Sequence, residues 1–82
     1  MAPLPSSLNL RSLSSLAPGE SGVIDHLESS GAVLYKLMEL GVWPGEKVTL
    51  VRRAPLGDPL VIELMGYQLA LRDSEARHIF IV

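Results

Sequence analysis

Eighty-two residues with seven Lys+Arg, nine Asp+Glu and a net charge of -2 allow one thin-cored unit, and they exclude a second lobe, a deep catalytic cleft and any general attraction to nucleic-acid phosphates or acidic lipid. The absence of cysteine removes disulfides, thiolate zinc sites and thiol nucleophiles together, which fits a reducing cytoplasm and leaves packing to supply the stability. A hydrophobic fraction of 48% is high for so small an interior, so part of the apolar surface is expected to meet a partner.

Met1 to Leu10 is broken by Pro3, Pro5 and Asn9 and lacks a basic start, so it reads as neither signal peptide nor anchor. No apolar run approaches the roughly 20 residues of a spanning helix, and direct membrane insertion is not expected. Residues 1–15, rich in Ser, Pro and Leu without a period, read as a flexible lead-in, with the packed domain expected over 16–82. Pro18-Gly19 signals a turn into a first strand, Gly22 to Leu27.

Ser29-Ser30-Gly31 offers a helix cap. From about Ala32, Val33, Leu34, Leu37, Met38 and Leu40 recur at helical spacing, with Tyr35, Lys36 and Glu39 on the other side. Gly41 is placed to close that helix in the left-handed conformation, and Pro44 blocks its continuation. Glu46 to Arg53 alternates as a half-buried strand, with Val51 out of step. Pro55-Leu56-Gly57-Asp58-Pro59 must be a loop, since two prolines lack donors and Gly57 invites an unusual backbone angle. Leu60 to Met65 and Gln68 to Arg72 read as a hairpin about Gly66-Tyr67, Asp73 to Ala76 as one helical turn, and Ile79 to Val82 as a last, wholly apolar strand. These elements describe a mainly β fold: a small SH3-like, five-stranded barrel with one short helix inserted after the first strand and a helical turn before the last.

The run Leu37-Met38-Glu39-Leu40-Gly41-Val42-Trp43-Pro44-Gly45, followed by Ala54-Pro55-Leu56-Gly57-Asp58-Pro59-Leu60, resembles the FeoA family, the accessory proteins of bacterial ferrous-iron transport. The likeness continues through Gly66, Leu69-Ala70-Leu71-Arg72, Glu75-Ala76 and Ile79 to Val82. It covers roughly residues 16–82, and its specificity lies in several turn motifs occurring in order. The resemblance implies a cytoplasmic, non-enzymatic protein that contacts the cytoplasmic region of the transporter FeoB in a regulatory or assembly role. A freestanding module like the C-terminal domain of metal-dependent repressors is the alternative. No helix-turn-helix precedes residue 16, however, and the net charge is wrong for unaided DNA binding.

The candidate partner contacts are Trp43, Tyr35, Leu56, Asp58, Arg72 and Phe80. Trp43, between a cap and a proline turn, could anchor a partner or simply cover the open end of a small barrel. Tyr35 could extend that surface from the helix. Turn chemistry alone explains the Leu56 to Pro59 loop, with Asp58 able to bond nearby amides. Arg72 could meet an acidic patch or pair within the domain. His26 and His78, with Asp25 and Glu28, could approach one another if the first and last strands pair antiparallel. Their spacing is no ligand motif, so no cofactor is expected to be required, and zinc or ferrous iron held there would be adventitious. No Gly-x-Ser-x-Gly elbow or phosphate-binding glycine loop is present. Exposed strand edges and the apolar Ile79 to Val82 segment would also permit a homodimer.

Overall fold

A computed structural model describes residues 10–82. In chain order the elements are β1 (Arg11–Ser12), a 3-10 turn (Leu13–Ser15), β2 (Ser21–Leu27), α1 (Gly31–Glu39), β3 (Lys47–Arg53), β4 (Leu60–Leu64), β5 (Tyr67–Leu71), α2 (Asp73–Ala76) and β6 (Ile79–Ile81). The strands form one antiparallel sheet in the order β1-β6-β2-β3-β4-β5. The mainly β architecture expected from the sequence is therefore present, with the helix and the helical turn at the expected places.

Two irregularities bend this sheet around its core. β2 pairs with β3 over Ser21 to Val23 and with β6 from Ile24 onward, its register shifting at Asp25. In β3 the register shifts between Leu50 and Arg52, which explains why Val51 breaks the alternation: it is the extra residue of a bulge. Elsewhere the period of two holds. Leu60, Ile62 and Leu64 of β4 and Ile79 and Ile81 of β6 are buried, each fully buried side chain contributing about 1.5–3 kcal/mol of burial free energy.

The packed domain starts earlier than residue 16, and it has six strands instead of five. Arg11 and Ser12 pair with Ile81 and Phe80, and Leu13 is wholly buried. Two residues cannot show a period, and the contacts that hold them are remote in sequence. The first nine residues of the expected lead-in lie outside the described residues.

Helix α1 is only partly covered: Leu37 is its one buried side chain, and Val33 stays 44% exposed. Ser30 takes the N-cap position, but its hydroxyl makes no capping hydrogen bond, so the expected serine cap is not formed. At the other end Gly41 has φ +94, as a left-handed closing residue requires. The β4–β5 hairpin turns one residue earlier than expected. Leu64 pairs with Tyr67, leaving Met65 (φ 51) and Gly66 (φ 83) as the central residues, a pattern of two positive φ angles that matches the twist of the flanking strands.

Candidate functional site

The loop at one end of β3 is wired inward. The Ala54 N–H donates to the Pro59 carbonyl at 3.0 Å and the Gly57 N–H to the Ala54 carbonyl at 2.7 Å. Arg53 reaches across it, donating to the Gly57 carbonyl at 3.3 Å and to the Ser14 carbonyl, and facing Asp73 at 3.7 Å. Asp58, a candidate partner contact, accepts the Asp73 N–H at 2.8 Å and faces Arg72 at 3.9 Å. Its carboxylate satisfies an unpaired amide at the start of α2, which accounts for the residue structurally. Arg72 in turn finds its carboxylate within the domain, although it pairs with Asp58, while Glu75 accepts its backbone N–H at 2.9 Å. Glu75 also takes Lys36 at 2.6 Å, and that hydrogen bond holds its carboxyl below the usual range. Leu56 projects from the loop 98% exposed.

The histidines lie on the β2–β6 seam. Strand β2 does pair antiparallel with the last strand, but His26 stands opposite Phe80, and the two rings stack at 5.1 Å with an interplanar angle of 8°. Phe80 is half-buried, with one face of its ring covered by His26. The imidazole bonds Asp25 through Nδ1 at 2.7 Å and Glu28 through Nε2 at 3.1 Å. Hydrogen bonds to Asp25 and then Glu28 favour the charged ring and raise its pKa above the ordinary 6.5. Both ring nitrogens are thus hydrogen-bonded to carboxylates. His78 contributes its backbone carbonyl to the Glu28 N–H at 2.7 Å. Among the described residues no group of three or more His, Asp and Glu side chains is arranged to hold a metal ion.

The other end of β3 is built differently, around Gly41. The Trp43 Nε1–H donates to the Met38 carbonyl at 3.0 Å, and the Tyr67 hydroxyl donates to the Leu40 carbonyl. The Tyr67 hydroxyl so satisfies a carbonyl that the end of α1 leaves open, while Trp43 adds a second donor to the Met38 carbonyl, which already accepts the Gly41 N–H at 3.0 Å. A methyl group at Gly41 would fall 2.6 Å from Tyr67 Oη and 2.7 Å from Met65 Cε, which puts the hairpin tip directly on the helix end. The polar tips point inward and much of each side chain does not: Trp43 is 49%, Met65 57% and Tyr67 41% exposed. Beside Met65 runs a groove of about 280 Å3 lined by Lys47, Thr49, Glu63, Leu64, Met65 and Gly66. Tyr35 lies further back on α1, 69% exposed.

The sequence singles out Trp43 and not Met65 or Tyr67, which the structure brings to the same helix end. The available signal is Met-Gly in a two-residue turn, where Asn or Gly would satisfy both positive φ angles with less strain.

Comparison with known proteins agrees with this fold. The sequence model of the FeoA domain family matches residues 11–82. The chain is 36% identical over 67 residues to an Fe(2+) transport protein A/Fe(2+) transporter FeoB fusion protein of Porphyromonas gingivalis, covering 82% of this chain and only 8% of the fusion. The solution structure of iron(II) transport protein A from Clostridium thermocellum superimposes with a TM-score of 0.83 at 41% identity, over 88% of this chain and 45% of that one. FeoA of Stenotrophomonas maltophilia, solved with zinc and described as a prokaryotic SH3 domain protein, gives 0.77 at 32% identity over 88% and 89% of the two chains. A manganese-dependent transcriptional repressor gives 0.84 at 17% identity over 98% of this chain and 38% of that one, a likeness of fold alone. Among the described residues no helix is long and apolar enough to cross a membrane.

Proposed function

The chain belongs to the FeoA domain family, and on that premise we propose that it is a cytoplasmic, non-enzymatic accessory protein of ferrous-iron uptake that binds FeoB and regulates or helps assemble it. The observation that carries this reading is the Porphyromonas gingivalis relative, in which the matched segment belongs to one polypeptide with the transporter. Physical linkage of two modules makes their encounter intramolecular, so even a weak contact between them is populated. Partly exposed Trp43, Met65 and Tyr67 supply apolar surface of the kind that protein contacts use. No resident cofactor is part of this proposal.

The repressor likeness supplies the fold and nothing about partners, so it does not carry a second reading. The test is ferrous-iron uptake by cells lacking this protein, together with capture of the full-length transporter on the immobilised chain. Uptake is expected to fall and to recover on complementation. Uptake that is unchanged by the deletion, with no capture, would contradict the proposal.

A further inference from the structure

We infer that the corner formed by Trp43, Met65 and Tyr67 is the docking face for a Lys/Arg-rich cytoplasmic segment of the membrane transporter that carries an apolar anchor. This rests on the reading above and goes beyond it by assigning the surface and its chemistry.

Two partly exposed side chains converge on the buried Gly41, and a third is tied to the same helix end. Tyr67 and Met65 both meet the position a Gly41 side chain would take, and Trp43, two residues further on, is tied to Met38 of the same helix end. Because Trp43 and Tyr67 already bond backbone carbonyls, their rings are held before a partner arrives, and little further side-chain entropy is lost on binding. Trp, Tyr and Met are also the residue types enriched in interface centres.

The rim selects the partner by charge. Glu39 ends α1 one residue after Met38, the Glu46 N–H bonds the Trp43 carbonyl at 3.2 Å, and Glu63 lines the groove beside Met65. None of the three is in an ion pair among the described residues. Lys47 is the one basic residue in the lining of that groove. Arg52, Arg53, Arg72 and Arg77 gather instead at the far end of β3, roughly 20 Å away for a seven-residue strand. Cytoplasmic loops of membrane proteins carry an excess of Lys and Arg, so the acid-rimmed corner complements such a loop and the arginine end repels it. The groove of about 280 Å3 has room for one basic side chain, its stem along Leu64 and Met65 and its charge at Glu63.

Binding of the full-length chain to its own organism's full-length transporter, held in nanodiscs and with empty nanodiscs of the same anionic lipid as reference, tests the assignment. Met65→Asn removes the exposed side chain while giving the turn a residue that accepts positive φ, so folding is preserved, as a melting curve will verify. It is expected to weaken binding at least tenfold. Glu39→Lys with Glu63→Lys is expected to slow association, most at low salt, and Leu56→Ser at the opposite end to leave affinity unchanged. Wild-type affinity in the first two variants, or loss of binding in Leu56→Ser alone, overturns the docking face while the accessory role stands. Equal binding to empty nanodiscs overturns the protein partner in favour of lipid. Failure of the wild-type chain to bind the transporter at all removes the accessory reading, and this inference with it.

Discussion

The two ends of β3 each carry an exposed apolar turn, and they dispose of their polar groups in opposite ways. At the 54–59 loop Arg53, Asp58, Asp73 and Arg77 bond one another and the backbone, so the residues that look like a binding motif hold the loop to α2 and to the chain start. At the Gly41 corner Trp43 and Tyr67 use their only polar atoms on the end of α1, and what remains outside is ring and thioether. A motif rich in charge can thus be architecture, whereas a plain helix end with a hairpin tip laid on it can be the surface left for a partner.

Substitutions at the two ends should separate these roles. The largest effect is expected at the corner itself. Gly41→Ala places a side chain at φ +94 and drives it into Tyr67 and Met65, for a loss of about 3 kcal/mol from backbone strain and overpacking together. Denaturant melts measure it, and a loss below about 1 kcal/mol would show that the corner is loosely packed. At the loop end Arg53→Ala strips the Ser14 and Gly57 carbonyls of a charged donor and should cost about 2 kcal/mol. Leu56→Ser beside it should stay within about 0.5 kcal/mol, since the leucine is 98% exposed; a larger loss would give the loop tip a packing role.

Met65→Asn should stabilise the domain by about 1 kcal/mol by relieving a left-handed backbone, the opposite sign from its expected effect on binding. A variant that is less stable would mean that the thioether packs on Gly41 more tightly than its exposure suggests. The smallest effect concerns the seam between β2 and β6. His26 has its pKa raised above 6.5 by Asp25 and Glu28, so folding favours the protonated ring. Its contribution to stability is present in full below the unfolded value and fades as pH rises through the folded one. Titration followed by NMR should show the raised value, and Asp25→Asn should lower it. A His26 that titrates at its ordinary value would show that the two carboxylates are too solvated to hold the ring.

How much of this was legible in the sequence follows the range of the interactions. Strands, helix, helical turn and the Gly41 closure came from periodicity and turn chemistry, both local, and Val51 marked its own bulge by breaking the alternation. The strand at Arg11–Ser12 was not legible: it is held by pairing to β6, by Arg11 reaching Glu20 at 3.3 Å and by Arg53 reaching Ser14, contacts that no window of the sequence contains. The hairpin turns one residue earlier than its glycine suggests, because Met65, an unusual residue at positive φ, carries no turn signal in the sequence. Trp43 stands out as the only tryptophan, whereas Met65 and Tyr67 reach the same helix end only when the hairpin folds over Gly41. His26 and His78 do come to one seam, yet both ring nitrogens of His26 bond its neighbours Asp25 and Glu28.

The lone tryptophan offers the most direct test of the docking face. With only this chain labelled with 15N, its single indole N–H resonance can be followed as nanodiscs carrying the transporter are added. The account predicts that the Trp43 indole signal and the amides of Met65 to Tyr67 shift or broaden first while the amides of 54–58 stay in place. Perturbation of the 54–58 loop with an unmoved indole would contradict it.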